Sequence, residues 1–138
     1  MKKQMFLCLI ILMLACSVAL SASPPMPDLV VTDIKVDNSH IKKDGKIDVI
    51  YTIKNNGAAM AKASKVRIES LTTRNSPVIQ QNAPSLDPGN VSTNRVTYSV
   101  SPGNKYLFKA TADYNNMVRE SNENNNSNTI SFSAGRSF

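Results

Sequence analysis

Beyond residue 27 the chain alternates apolar and polar residues in short runs, and turn-forming clusters separate the runs. Residues 28–36 (D-L-V-V-T-D-I-K-V) are β-branched with period two. That period places Val30, Thr32, Ile34 and Val36 on one face, with Asp33 and Lys35 on the other. Residues 46–54 alternate strictly and direct Ile47, Val49, Tyr51 and Ile53 inward. In residues 64–71, Val66 and Ile68 point in while Lys65, Arg67 and Glu69 point out. Residues 77–80 read as a short edge strand, its proline at the start where no ladder donor is needed. Residues 91–100 carry Val96, Tyr98 and Val100 on one face. Residues 106–112 carry Tyr106, Phe108, Ala110 and Ala112, the two alanines suiting close approach of an opposing sheet. Ile130 and Phe132 mark a last strand.

Turns are expected at residues 43–45, 55–57, 86–89 and 101–104, with Gly57 supplying a positive φ. The alanine-rich run 58–63 has good helix propensity but is too short to hold a helix alone, so it reads as a loop leading into the next strand. Six or seven short strands, with no long amphipathic stretch, predict an all-β sandwich.

The first 21 residues break this pattern. Met1-Lys-Lys is a positive start, residues 6–15 are apolar, and residues 17–23 are small and polar. This is the layout of a secretory signal peptide, shorter than a membrane span. Cleavage after Ala19 or Ser21 fits the small residues upstream. The alternative is a lipoprotein signal ending before Cys16, with Ala15 in place but Leu14 bulky for its position. Acylation there would hold the protein at a membrane. Residues 22–27 form a Pro/Ser-rich linker, residues 28–134 the sandwich, and residues 135–138 a tail. Both cysteines, Cys8 and Cys16, lie in the signal region, so the domain is expected to have neither disulfides nor thiol chemistry.

Charge changes this picture little. The chain carries 16 basic and 10 acidic residues, formally +6; without Lys2 and Lys3 the excess is +4. With few aromatics and lysines spread along the chain, this excess does not by itself argue for nucleic acid. Lys42, Lys43 and Lys46, with Lys35 nearby, read as a solvated turn, the alternative being a patch for anionic glycans or lipid headgroups.

Residues 113–126 (D-Y-N-N-M-V-R-E-S-N-E-N-N-N) join the last two strands and are too patterned for a generic connection. Asp113, Asn116, Val118, Glu120, Asn122, Glu123, Asn125 and Asn126 resemble the C-terminal signature of the CARDB domain, the cell-adhesion-related domain of bacterial and archaeal surface proteins. The resemblance extends to Pro27-Asp-Leu-Val-Val31, to the Asn-x-Gly ending of residues 51–57 and to the turn at residues 86–89. It covers roughly residues 27 to 132. It implies a seven-stranded immunoglobulin-like β-sandwich of Greek-key topology, outside the cell and without chemistry of its own. CARDB units often occur in tandem, whereas one copy is present here.

Asp113, Asn116, Glu120 and Glu123 are the candidate site residues. Oxygen ligands at short spacing suit Ca²⁺, although the spacing is not that of an EF-hand. The structural alternative is that these side chains bond neighbouring backbone and hold an irregular loop without metal. Val118 is expected to pin the loop against the sandwich. His40, the single histidine, has no nucleophile or orienting carboxylate marked beside it. No catalytic serine motif, phosphate loop or Cys/His metal set is present. The expected function is an exported, non-enzymatic interaction or adhesion-type module, with no catalytic residue and no required cofactor. Its partner would be a protein or glycan at the cell surface, with no nucleic acid, and the module itself would be monomeric. The alternatives are an accessory subunit of an exported enzyme or appendage, and a metal-dependent hydrolase using the carboxylates of the 113–123 segment.

Overall fold

Strict alternation in the second strand organises the sandwich. The computed structural model describes residues 22–39, 41–72 and 76–136. The signal region with Cys8 and Cys16, and His40, lie outside the described residues. The strands are β1 (Leu29–Asp37), β2 (Lys46–Asn55), β3 (Ser64–Ser70), β4 (Ile79–Ala83), β5 (Val91–Ser99), β6 (Lys105–Thr111) and β7 (Ser127–Ser133). One helical turn, α1 (Ile41–Asp44), stands between β1 and β2. One sheet has the order β1-β2-β5 and the other β4-β3-β6-β7, every pairing antiparallel. The chain changes sheets between β2 and β3, between β4 and β5, and between β5 and β6, which is a Greek-key path. The result is the expected seven-stranded immunoglobulin-like sandwich.

Ile47, Val49, Tyr51 and Ile53 are all buried, as their alternation predicts. Opposite them lie Val66, Ile68, Phe108, Ala110 and Ala112, each 1% exposed or less. Burying a side chain the size of Ile or Phe is worth about 1.5–3 kcal/mol, so these facing rows are the main cohesive element. Two core tyrosines join the sheets by polar tips as well as rings. Tyr98 on β5 donates to Ile68 O on β3 at 2.7 Å, and Tyr51 on β2 donates to Gln81 Oε1 on β4 at 2.6 Å. Desolvation pushes both phenols up to about 12. At the start of β6, the Tyr106 hydroxyl accepts from Ser101 N at 2.8 Å. That is the arrangement of a tyrosine corner.

Three sequence expectations are corrected. In β1 the buried residues are Leu29, Val31 and Ile34, while Thr32 is exposed. The register shifts between Val31 and Asp33, so a bulge at Thr32 reverses the parity midway and Val30 does not share the face of Ile34. The edge strand is Ile79–Ala83, two residues later than read, with Pro77 before it. Gly57 is not among the positive-φ glycines, which are Gly45, Gly89 and Gly103. Its reason is space: a Cβ there would lie 2.5 Å from Asp28 N and Pro27 C and closer still to Met26 O.

Candidate functional site: an asparagine-rich clasp on the β1 edge

The segment between β6 and β7 turns by two non-glycine residues in the left-handed region, Asp113 (φ 42°) and Asn116 (φ 51°). Asp and Asn tolerate that conformation best among residues with a Cβ. Asp113 fixes the turn. Its carboxylate accepts from Met117 N at 3.0 Å and Val118 N at 2.8 Å, and its carbonyl accepts from Asn116 N at 2.8 Å. Asn116 is exposed and serves through its backbone. Val118, thereby aimed inward, is 6% exposed and belongs to the core, as expected.

The second half grips β1. Glu120, 5% exposed, accepts from Leu29 N, a donor on the outer edge of β1, and from Asn126 Nδ2 at 2.7 Å. Its own N–H donates to Glu123 Oε1 at 2.8 Å. Ser121 N donates to Pro27 O at 2.9 Å, and Asn125 Nδ2 to Asp28 Oδ1 at 2.9 Å. Ala112 N donates to Asn126 O at 2.9 Å and closes the loop on itself, while Asn128 Nδ2 reaches Val31 O at 3.3 Å beside the bulge. The first part of the β1 edge, up to Val31, is thus covered by side chains and loop backbone and is not left as a template for unwanted strand pairing.

Burial raises the Glu120 carboxyl above its ordinary value, and Glu123 and Asp113 add to the rise; the Leu29 N–H and the Asn126 amide oppose it. The folded state therefore holds the proton more tightly than the unfolded chain. Stability carried by this group is fully present below about pH 4.5 and is lost as pH rises through the folded pKa. Glu120→Gln abolishes this dependence. The new amide can still accept from Leu29 N and can donate to Asn126 Oδ1, a buried oxygen without a partner, once the Asn126 amide rotates. The expected result, read by urea unfolding, is that Glu120→Gln gains on the parent protein between pH 4 and pH 7. A difference that stays flat with pH would show that Glu120 does not titrate abnormally.

Of the four candidate residues, Asp113, Glu120 and Glu123 have carboxylate oxygens engaged by protein donors, and Asn116 faces solvent. Among the described residues no group of three or more His, Cys, Asp or Glu side chains is placed to hold a metal ion. The raised Glu120 carboxyl lies under the loop, and the described surface has no pocket beside it.

Sequence reasoning placed Asn55 in the Asn-x-Gly ending of β2 but missed its buried role. It is fully buried at the end of β2. Its Oδ1 accepts from Asp28 N at 3.1 Å and Gly57 N at 3.0 Å, and its Nδ2 donates to Ala59 O at 2.8 Å and Leu86 O at 2.9 Å. The signal was present: Asn55 continues the inward parity of Ile47, Val49, Tyr51 and Ile53.

Solved structures share this frame. The CARDB domain of a Pyrococcus furiosus protein, solved in complex with di-metal ions, is 25% identical over 83% of this chain and 98% of that one, with a TM-score of 0.67. A solution structure of the same domain is 27% identical over 80% of this chain and 97% of that one, with a TM-score of 0.62. A domain from Methanosarcina acetivorans, at 23% identity, shares the fold over 79% of this chain and 92% of that one, with a TM-score of 0.61. No curated protein matches the chain significantly. The CARDB family model matches residues 26–130, from the segment beneath Gly57 through the clasp into β7. The chain belongs to the CARDB family.

Proposed function

We propose that this protein is an exported, non-enzymatic module that works at the cell surface or in the secreted phase as an interaction or adhesion-type structural element, with residues 113–126 as its clasp. The observation carrying this reading is the use of the loop carboxylates: Asp113, Glu120 and Glu123 accept hydrogen bonds from the protein itself. A catalytic pair would need at least one carboxyl open to a substrate. Export is supported by the signal layout of residues 1–21, and the Methanosarcina domain comes from a protein assigned to the cell surface.

Two measurements test it. In cells producing the full chain, fractionation is expected to find the protein in the exported fraction. Cys16→Ser should move it from membrane to soluble if Cys16 is acylated and leave it in place if cleavage follows Ala19 or Ser21. Retention inside the cell would refute export. Melting of the purified protein in excess EDTA and in millimolar Ca²⁺ tests the clasp, because a ligand bound only by the native state raises stability by mass action. Equal melting temperatures are expected. A Ca²⁺-dependent rise that disappears in Glu120→Ala would instead make the loop a metal site.

A further inference from the structure

The two ends of the sandwich differ in charge, and the polypeptide arrives at only one of them. Residues preceding β1 leave from the clasp end, where Met26 O accepts from Ala58 N at 2.9 Å and Pro27 O from Ser121 N. That end carries Asp28, Asp87, Asp113, Glu120 and Glu123 against Lys54, Lys62, Lys65 and Arg119. The opposite end is built from α1, the β5–β6 turn and the residues after β7. Backbone bonds join these three into one surface. Val100 N donates to Gly45 O at 2.8 Å, Gly103 N to Gly135 O at 2.8 Å, and Ala134 N to Asn104 O at 2.9 Å.

On this surface the sequence places Lys42, Lys43, Lys46, Lys105 and Arg136, against Asp37 and Asp44. Lys46, Lys105 and Arg136 are exposed, and among the described residues none of the three is in an ion pair. Both acids bind backbone, Asp37 Oδ1 accepting from Ser39 N at 3.0 Å and Asp44 Oδ1 from Lys46 N at 3.1 Å, and their two charges offset only part of the five basic ones. Most of the domain's excess positive charge therefore stands at the end remote from the N-terminal segment. A concentrated field of one sign attracts a polyanion more strongly than the same charge dispersed.

We propose that this basic end docks an acidic polysaccharide. The inference rests on the reading that the module is exported, which places such polymers within reach. The charged end faces away from whatever holds the N-terminus, so an anchoring membrane is a poorer fit. Its described residues include no exposed aromatic on which nucleobases could stack.

The test uses the purified chain and immobilised heparin as a sulfated polysaccharide probe, with neutral dextran as the blank. The triple variant Lys46→Glu/Lys105→Glu/Arg136→Glu is compared with Lys62→Glu/Lys65→Glu/Arg119→Glu, which makes the same change in net charge with exposed residues toward the clasp end. Melting curves first establish that both variants fold, as exposed substitutions usually permit. Heparin binding that weakens with salt is expected, with a loss of about tenfold or more for the first triple and much less for the second. Lys105→Gln alone should give a smaller loss in the same direction. Equal losses in both triples would reduce the effect to net charge and overturn the proposal. So would absence of heparin binding, or binding only to vesicles containing anionic phosphatidylglycerol. Binding by purified protein reads this surface alone and fractionation reads export, so either reading can fail while the other stands.

Discussion

Replacing Asn55 by alanine is expected to destabilise the domain by about 4 kcal/mol, a large part of the stability of a domain this size. The reasoning counts the groups left behind. Asp28 N and Gly57 N lose their acceptor, and Ala59 O and Leu86 O lose a donor. Asn55 itself is 0% exposed, so water does not readily replace its amide. A buried polar group left unsatisfied costs about 1–3 kcal/mol, and relaxation recovers part of the sum. Three separate segments depend on this one side chain: the lead into β1, the β2–β3 connection and the β4–β5 connection. Asp28 in turn holds Asn125 of the clasp, so the damage spreads to the candidate site. Asn55→Asp should also be costly, because a carboxylate would face the two carbonyl oxygens that the amide nitrogen now satisfies. Urea unfolding decides the matter. A lowered midpoint with an unchanged slope reads as stability alone. A loss under about 1 kcal/mol would mean the surrounding backbone finds other partners, and Asn55 would not be the junction described here.

How far the sequence discloses this molecule depends on whether a residue's role is written in local periodicity. The inward rows of β2, β3 and β6 were legible because regular pleating forces alternate residues to opposite faces, and nothing interrupts those strands. β1 was misread for the same reason. One bulge at Thr32 inverts the parity, and no glycine or proline marks it. The clasp was legible as a pattern, since Asp and Asn at close spacing announce side chain–backbone bonding. Its partners were not. Leu29, Pro27 and Asp28 lie more than ninety residues upstream, and only the sheet order brings them to the loop. Gly57 shows the same limit. Its turn position suggested a left-handed conformation, whereas the actual constraint is the backbone of residues 26–28 pressed against it.

Val118→Asp is expected to lower stability by about 3–4 kcal/mol, against roughly 1–2 kcal/mol for Val118→Ala. The alanine variant removes two methyl groups from the core cluster and leaves a small void. The aspartate variant does this and also introduces a carboxylate at a position that is 6% exposed. Its surroundings favour no anion: the residue's own N–H is already committed to Asp113 Oδ2 at 2.8 Å, and Glu120 is buried two residues further on. The new carboxyl should therefore hold its proton more tightly folded than unfolded. By linkage, the deficit relative to the alanine variant should be smallest at low pH and grow as pH rises through the carboxylate range. That pH signature separates a buried charge from simple loss of packing, which titration does not touch. Melting temperatures of the parent and both variants, taken at pH 4 and pH 7, supply the comparison. Should the two variants melt together at both values, the side chain at position 118 does not stay in the core when charged. The loop around residue 118 would then turn locally to give the carboxylate water while its hydrogen bonds to β1 hold.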